Sequence, residues 1–397
     1  IVVGDSANSA FAPGAGAAYV YVYNGLSWSQ QAKLTASDSA NGDGFGSSIA
    51  IENNQIAIGA GGKDEKSSSD GAAYVFVRDG DQWTEQAKLV ASGPTSDFDF
   101  LGSDVAIAGD TALIAARGCC ADGIFDSTGA AYVFVRNGES WSQQAKLLAS
   151  DGSAQDAFGY SVDVEGDTAL IGAPQDRENG SFSGSAYVFT RSDTNWSEAQ
   201  KLLPDTSGGS FGVSVSLSGN SALIGAMEDA DTAHPGGSAY IFERGESGWS
   251  QTQKLSGSDG ETGDRFGFSS SLSDGTAVIG SDSDDDLGPD AGAAYVFRTI
   301  LFDDVPSDYW AFSFIQRLAD NGITSGCGPR LYCPSSVVTR AQMAVFLQRG
   351  MNGSDYVPPP PSGNIFNDVG AGDFAASFIE QLYADGITAG CGNGNYC

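Results

Sequence analysis

The chain has 397 residues, with 19 Lys or Arg against 50 Asp or Glu, so its formal net charge at neutral pH is −31. A surface this acidic repels nucleic acids and anionic membranes, attracts divalent cations, and aids solubility in salty surroundings. No apolar run approaches the length of about eighteen residues that a membrane span needs. The six cysteines fall in three close pairs, which suits an oxidising, extracellular location.

A six-residue segment recurs from the start of the chain. It reads GAAYVY, GAAYVF or a close variant, and it begins at Gly16, Gly71, Gly129, Gly184, Gly237 and Gly292, at intervals of 55, 58, 55, 53 and 55 residues. A fixed period of this size is typical of one supersecondary unit repeated along the chain. Such repeats build a scaffold with loops rather than one catalytic pocket, so the pattern favours display and binding.

Four strand-like segments recur in each unit. The first follows a Phe-Gly pair, or Leu101-Gly102 in one unit, and alternates polar and apolar residues. A tight turn such as Gly166-Asp167 leads to an apolar second segment that ends in small residues. The third contains the Ala-Tyr-Val-Phe run, and the fourth carries a Trp and a Lys-Leu pair at fixed offsets. Four antiparallel strands in about fifty residues predict a β-propeller blade, with a stacked solenoid as the alternative.

The blade motif resembles a known family. Phe158-Gly159 followed by Gly172-Ala173-Pro174 resembles the FG-GAP repeat, the blade unit of integrin-α-like propellers and of many bacterial surface proteins. The resemblance covers residues 1–299 and implies an all-β propeller. Calcium-binding members of the family insert a D-x-D-x-D-G loop just before the GAP strand. Short turns take its place here, so the usual calcium site of the family is not transferred to these positions.

The strand count leaves the ring incomplete. Five Phe-Gly strands, six Gly-Ala strands, six Tyr-Val-Phe strands and five Trp strands make 22, two fewer than six complete four-stranded blades require. The two absent strands, one after Phe297 and one before Ile1, would be neighbours in a closed ring. We therefore expect residues upstream of Ile1 to close a ring of six blades, or of seven if they supply a further repeat.

Composition changes at Ile300, where helical periodicity begins. The segment 314–328, FIQRLADNGITSGCG, returns as FIEQLYADGITAGCG at 378–392, and LFDDV at 301–305 returns as IFNDV at 365–369. We assign residues 300–353 to a first repeat, 354–363 to a Pro-rich linker and 364–397 to a second, truncated repeat.

A capping box predicts a helix in the first of these repeats. Thr339 suits the N-cap, and Gln342 stands at the third helical position. We expect this helix to end at Gly350 and to turn three apolar residues inward, namely Met343, Phe346 and Leu347.

The C-terminal repeats resemble the S-layer homology domain, a small helical module that anchors exported proteins to cell-wall glycans. The matching segments are 302–305, 310–311, 322–324 and 338–342. In that family the Arg of the signature and the Trp of the first helix contribute to a glycan-binding groove. The resemblance therefore implies a bacterial cell-surface location and a glycan site at Trp310, Thr339 and Arg340. The alternatives are that Trp310 is a core residue and that Arg340 caps or pairs locally.

Three cysteine pairs are candidates for disulfides. They are Cys327–Cys333, Cys391–Cys397 and Cys119–Cys120. The first two share one spacing, which favours a local disulfide in the Gly-rich loop of each C-terminal repeat. Zinc would need more ligands, and the single histidine, His234, lies far off in the propeller sequence. The adjacent pair is either a vicinal disulfide or a pair of thiols.

Recurring acidic residues make calcium a candidate cofactor. Calcium prefers several carboxylate and carbonyl oxygens from one flexible loop, whereas charge runs are often simply solvated. The candidate ligands are Asp38 and Asp43, Asp151 and Asp156, Asp259 and Asp264, and the dense cluster of Asp282, Asp284, Asp286 and Asp290.

Catalysis is disfavoured, because one histidine offers little for Ser-His or Cys-His chemistry. We expect an exported, non-enzymatic surface protein. Its propeller would act as an adhesion module for an unidentified protein or glycan, and its C-terminal repeats would bind envelope polysaccharide. The alternatives are a structural subunit that self-associates into a lattice or filament and, ranked last, a glycan-cleaving propeller acting through a carboxylate pair.

Overall fold

The computed structural model describes the chain except for residues 93–97, 119–126, 179, 181, 206–208, 230–235, 246, 274, 287, 290, 299–301, 303, 306–310, 312–314, 316–317, 320–322, 325, 329–330, 354–355 and 397. The chain divides into two compact units, Ile1–Val296 and Phe297–Cys397.

The first unit is a six-bladed β-propeller, as the repeat pattern predicts. Six antiparallel sheets are each built from strands that are consecutive in the chain; the first and last sheets have three strands and the others have four. The strands are β1 (Val2–Asp5), β2 (Ala17–Tyr23), β3 (Trp28–Leu34), β4 (Ile49–Glu52), β5 (Gln55–Ala60), β6 (Ala72–Asp79), β7 (Gln82–Leu89), β8 (Leu101–Ala108), β9 (Thr111–Ala116), β10 (Ala130–Asn137), β11 (Ser140–Leu147), β12 (Val162–Glu165), β13 (Thr168–Ala173), β14 (Ser185–Ser192), β15 (Asn195–Leu202), β16 (Phe211–Ser218), β17 (Ser221–Ala226), β18 (Ser238–Gly245), β19 (Gly248–Leu255), β20 (Phe266–Ser273), β21 (Thr276–Ser281) and β22 (Ala293–Arg298). These 22 strands confirm the predicted count and the predicted strand types.

The core lies between the blades. The Gly-Ala strands β5, β9 and β17 are buried along their whole length, because both of their faces are covered by neighbouring sheets. An aromatic cluster recurs in blades that begin with a Phe-Gly motif: the Phe211 ring meets the rings of Tyr240 and Phe242 of its own blade edge-on at centroid distances of 5.4 and 5.9 Å. This cluster packs against residues of the preceding blade such as Val188. Burial of these large rings is the main source of stability between blades.

A backbone bridge joins each blade to the next. It pairs Gly16 with Phe45, Gly71 with Leu101, Gly129 with Phe158, Gly184 with Phe211, and Gly237 with Phe266. The glycine that follows the aromatic residue lies against this bridge. At Gly212, φ is +91° and an added Cβ would stand 2.3 Å from the carbonyl oxygen of Ser185. The Phe-Gly motif thus supplies an aromatic ring for the core and a residue without Cβ where two blades meet.

The second unit contains helices α1 (Arg340–Asn352) and α2 (Ala376–Ala384). The capping box is confirmed, since the Gln342 backbone N–H donates to Thr339 Oγ1 and the Thr339 N–H donates to the Gln342 side chain. The helix runs past the expected end at Gly350 to Asn352, and the Gly353 N–H closes it by donating to the Arg349 carbonyl at 2.8 Å.

The predicted inward face of α1 is wrong for Met343 and Leu347, whereas Phe346 is half-buried. Met343 and Leu347 are 43% and 41% exposed, whereas Ala344 and Gln348 are fully buried. Helix α2 packs on the small Ala344, and Gln348 Nε2 donates to Asp385 Oδ2 at 2.7 Å. The interface between α1 and α2 therefore contains the small Ala344 and the hydrogen-bonded amide of Gln348, where large apolar side chains were expected.

The two C-terminal repeats share their local geometry. Phe302 packs on Tyr332 and Phe366 packs on Tyr396, both at a ring distance of 5.3 Å. The predicted Cys327–Cys333 disulfide is present. Cys391 is also disulfide-bonded, while its expected partner Cys397 and the Cys119–Cys120 pair lie outside the described residues.

Candidate functional site

The recurring acidic residues of the propeller meet lysines of the chain itself. In the fourth blade, Lys201 Nζ lies 2.6 Å from Asp151 Oδ2, 2.8 Å from Asp176 Oδ2 and 2.5 Å from Glu178 Oε2. These three carboxylates offer oxygens within 4.8 Å of one another. A lysine ammonium therefore lies among carboxylates that are close enough together to bind a metal ion.

Ion pairing controls the protonation states of this cluster. Burial works against the charged form of Lys201, but hydrogen bonds to the three carboxylates outweigh it and raise the lysine pKa. Burial would raise the pKa of Asp176, yet the hydrogen bond from Lys201 leads a group of contacts that lower it. Both groups stay charged at neutral pH, as a desolvated ion pair with good geometry does.

The same arrangement recurs in other blades. Lys88 binds Asp38 at 2.6 Å and also contacts Glu65. In the fifth blade, the Nζ of Lys254 lies 2.9 Å from Asp229 Oδ2. The lysine of the Lys-Leu pair thus ties the fourth strand of a blade to the loop that follows its second strand.

The second aspartate of each predicted calcium pair stabilises its own loop. The Oδ2 atoms of Asp43, Asp156 and Asp264 accept backbone N–H groups three residues upstream at 2.7, 2.6 and 2.6 Å. Asp43 also pairs with Lys63 at 3.0 Å. These three carboxylates are buried, and their oxygens serve mainly to close a turn before each Phe-Gly motif.

The last blade differs, because no ion pair between described residues joins a lysine to Asp259 or Asp284. Instead the Tyr295 hydroxyl lies 2.7 Å from Asp259 Oδ1 and 2.9 Å from Asp284 Oδ2. The charge of Asp284 raises the pKa of Asp286, while Asp282 pairs with Arg265 at 3.0 Å. Asp290 lies outside the described residues.

A separate groove in the C-terminal unit contains the predicted Arg340. We call it the Arg340 groove: a cavity of about 390 Å³ whose lining includes Thr339, Arg340, Asp373, Phe374 and Tyr396. The Arg340 guanidinium carbon lies 4.6 Å from the centroid of the Tyr396 ring, and the Tyr396 hydroxyl donates to the Arg340 carbonyl at 2.9 Å. Tyr396 is buried and holds the exposed guanidinium by a cation–π contact.

The Arg340 groove is built from both repeats. The predicted aromatic partner Trp310 lies outside the described residues. Its counterpart in the second repeat, Phe374, lines the groove and is 69% exposed. Alignment of the two repeats pairs Phe374 with Trp310, but it does not reveal that Phe374 lies beside the arginine of the preceding repeat.

A second groove lies on the propeller face that carries the turns before each Phe-Gly motif. We call it the loop-face groove: two adjoining hollows of about 480 and 320 Å³ that share Tyr160, Gln175 and Phe182. Most of its other polar and aromatic lining comes from positions that flank the repeat motifs, and the sequence analysis did not select them. These include Phe100, Arg117, Gln155, Arg177 and Ser210. The sequence did contain a signal for these positions: the motif residues hardly change between blades, whereas the residues directly beside them vary.

Family models match both parts of the chain. The FG-GAP repeat model matches residues 28–76, 83–134, 141–189, 196–242 and 249–297, which together make more than half of the chain. The S-layer homology domain model matches residues 301–344. An S-layer homology domain indicates attachment to the bacterial cell surface through cell-wall polysaccharide, which confirms the predicted location. No helix among the described residues is both long enough and apolar enough to cross a membrane.

Three curated relatives match only the S-layer homology region. Endo-1,4-beta-xylanase A of Thermoanaerobacterium saccharolyticum and exoglucanase XynX of Acetivibrio thermocellus are each 33% identical over 95 residues, which is 24% of this chain and 8% of theirs. Amylopullulanase of Thermoanaerobacterium thermosulfurigenes is 37% identical over 91 residues, 23% of this chain and 5% of its own length. The chain spans less than a tenth of each relative, so their catalytic activities are not transferred to it.

Proposed function

Because the chain belongs to the FG-GAP repeat family and carries an S-layer homology domain, we propose that it is a non-catalytic adhesion protein of the bacterial surface. The C-terminal unit holds the chain on cell-wall polysaccharide. The propeller displays its loops to an external protein or glycan. Attachment rests on the Arg340 groove, and display rests on the repeated scaffold with variable loops.

The Arg340 groove supports the first half of this proposal. Arg340 is exposed and forms no ion pair with any described residue, whereas the nearby carboxylates are engaged: Asp368 accepts the Tyr396 N–H at 2.6 Å and Asp373 accepts the Gly370 N–H at 2.7 Å. The guanidinium makes one long hydrogen bond, from Nη2 to Thr388 Oγ1 at 3.5 Å, and its other N–H groups suit an acidic substituent on a sugar. The exposed ring of Phe374 offers a surface on which a sugar face can stack.

The propeller supports the second half through its rigidity. Each blade is joined to the next by a backbone bridge and by buried apolar side chains, and the base of several loops is held by a lysine–carboxylate cluster such as that of Lys201. Loops on such a frame can differ in sequence without loss of the fold, which is the usual arrangement of binding surfaces on rigid scaffolds.

Sedimentation with purified cell-wall sacculi tests attachment. The full chain should pellet with sacculi. Arg340→Ala should raise the apparent Kd about tenfold, because one charge-assisted hydrogen bond is lost. Arg78→Ala, which removes the same charge from the propeller surface, is the matched control and should bind as the native chain does. Equal binding by the Arg340 variant, or no binding of the native chain to any bacterial wall, would overturn the proposal of a wall anchor.

A further inference from the structure

Two arginines line the loop-face groove without an acidic partner among the described residues. Arg117 and Arg177 are exposed, and neither lies within 4.0 Å of a carboxylate of any described residue. Other arginines of the propeller do form such pairs, for example Arg136 with Asp110, Arg191 with Asp167, and Arg265 with Asp282. One carboxylate, that of Glu228, also lines the groove, and its Oε2 accepts the Ser210 hydroxyl at 3.0 Å. Two guanidinium groups against this one lining carboxylate make the groove a local positive site in a chain whose net charge is −31.

Two aspartates lie close enough to the groove arginines to interact with their charge: Asp104 with Arg117, and Asp156 with Arg177. Asp104 accepts the Val162 N–H at 2.8 Å and lies close enough to Arg117 for the arginine to oppose the rise of its pKa. Burial nevertheless raises the pKa of Asp104 to about 7. This rise in pKa weakens the competition of Asp104 with a ligand for the charge of Arg117.

Aromatic rings hold both guanidinium groups in place. The Arg117 guanidinium carbon lies 5.5 Å from the centroid of the Tyr160 ring, and that of Arg177 lies 5.0 Å from the Phe182 ring. A guanidinium held over a ring still presents its N–H edge, which can bind a carboxylate with two parallel hydrogen bonds. Arg177 Nη2 also donates to Gln155 Oε1 at 3.3 Å, which restricts its orientation further.

The rest of the lining suits a sugar chain rather than a small anion. Gln155 and Gln175 are exposed amides that can hydrogen-bond hydroxyl groups, and Phe182 is 44% exposed. A site for a lone carboxylate or phosphate has no need of exposed aromatic rings. Two adjoining hollows of about 480 and 320 Å³ make an elongated groove, which accommodates successive rings of a polymer.

The backbone of the groove is rigid before any ligand arrives. Ala157 donates its N–H to the Ser127 carbonyl and Ser210 donates to that of Phe182, both at 3.0 Å. The corresponding turn of the second blade has the same bond, from the Gly44 N–H to the Gly14 carbonyl at 3.0 Å, so the frame recurs between blades and the side chains distinguish this groove. A preorganised frame lowers the entropic cost of binding.

We infer that the loop-face groove binds an acidic polysaccharide, with uronic acid carboxylates on Arg117 and Arg177 and sugar rings stacked on Tyr160 and Phe182. This inference rests on the proposed display function of the propeller and names its ligand class. It is independent of the Arg340 groove, which lies in the other unit.

Calorimetric titration of the full chain with uronic acid tetrasaccharides tests the inference. The probes are tetragalacturonate, tetramannuronate and a glucuronate-containing tetrasaccharide, with neutral maltotetraose as control. At least one acidic probe should bind with a Kd below about 1 mM, and maltotetraose should bind at least tenfold more weakly. Arg117→Ala and Arg177→Ala should each weaken binding about tenfold, while Arg78→Ala should not. Thermal unfolding of every variant establishes that it is folded.

Further arms separate the competing explanations. Arg340→Ala should leave tetrasaccharide binding unchanged, and the double variant at Arg117 and Arg177 should still pellet with sacculi, so a failure here leaves the wall anchor standing. Hexaglutamate tests for an acidic peptide ligand. The inference is overturned if no acidic tetrasaccharide binds, if the arginine variants bind normally, or if hexaglutamate binds as tightly and Tyr160→Ala has no effect on the sugar.

Discussion

Lys201 Nζ lies 2.8 Å from Asp176 Oδ2, and the two side chains are only 15% and 7% exposed. The lysine belongs to β15, the fourth strand of its blade, and the aspartate follows β13, the second strand. The ammonium also lies 5.2 Å from the centroid of the Tyr187 ring on the strand between them. The fixed offset of the Lys-Leu pair therefore has a physical reason: its lysine reaches across the blade and neutralises the acidic loop.

Replacement of Lys201 by Met should destabilise the propeller. The variant keeps the aliphatic part of the side chain but leaves Asp151, Asp176 and Glu178 as uncompensated neighbours. Removal of one partner from a buried ion pair costs about 3 kcal/mol. Urea unfolding followed by fluorescence measures this loss. Lys33→Met is the matched control, because Lys33 is bonded to the neutral Asn8 side chain at 3.3 Å, and it should cost less than about 1 kcal/mol.

The same Lys201→Met variant should become responsive to calcium. Its three carboxylates offer oxygens within 4.8 Å of one another, and calcium binds clusters of hard oxygen ligands. Millimolar calcium should therefore raise the free energy of unfolding of the variant and leave that of Lys33→Met unchanged. If calcium stabilises Lys33→Met and the native chain as much as the Lys201 variant, the lysine does not take the place of a cation.

The glycine of the Phe-Gly motif should be intolerant of a side chain. Gly212→Ala adds a Cβ 2.3 Å from the Ser185 carbonyl oxygen at a φ of +91°, whereas Gly219→Ala in a hairpin turn has a φ of +60° and nothing within 4 Å. The control should lose only about 1 kcal/mol of unfolding free energy, the cost of a left-handed conformation for alanine. The motif variant adds overpacking and should lose about 3 kcal/mol in total. Equal losses in urea unfolding would contradict the role assigned to the motif glycine.

The repeat period made the propeller predictable. Each strand type is encoded locally, by a Phe-Gly start, a run ending in Gly-Ala, or a Trp with a Lys-Leu pair, and several hairpin turns carry a glycine such as Gly166 with a φ of +57°. Because neighbouring strands in the chain are neighbours in each sheet, local patterns were sufficient to give the topology.

The sites were less predictable, because they join residues that no local pattern connects. The loop-face groove combines Arg117, Tyr160 and Ser210 from three successive blades. The buried face of helix α1 was predicted wrongly for a related reason. Apolar residues such as Met343 suggest a buried face, but α2 packs on Ala344 instead. Propensity and periodicity do not contain the identity of the neighbouring element.

Burial of Asp104 should make stability depend on pH. Burial raises its pKa to about 7, well above the value of about 3.9 for an exposed aspartate. The folded state therefore binds the proton more tightly than the unfolded state. The contribution of Asp104 to the free energy of unfolding is therefore fully present below about pH 4 and is lost as the pH rises through about 7.

The variant Asp104→Asn tests the direction of this pH dependence, because its amide oxygen can still accept the Val162 N–H while the side chain carries no charge. The free energy of unfolding of the variant, relative to the native chain, should rise between pH 4.5 and pH 7.5. Asp193→Asn, at an exposed hairpin turn, is the control. A relative stability that stays flat for Asp104→Asn, or that rises equally for both variants, would contradict the assignment of the titration to Asp104.

We expect the N-cap residue of α1, Thr339, to affect wall binding indirectly, without contacting the glycan. Thr339 Oγ1 accepts the Gln342 N–H at 3.2 Å, and Arg340 occupies the first turn that this bond stabilises. Thr339→Ala should cost about 1 kcal/mol of unfolding free energy and weaken sedimentation with sacculi, because a frayed first turn no longer holds Arg340 over Tyr396. Thr339→Ser keeps the capping oxygen and should restore both quantities. If the serine variant binds sacculi as poorly as the alanine variant while its stability is normal, then the Thr339 methyl group contacts the polysaccharide and the cap is not what positions the arginine.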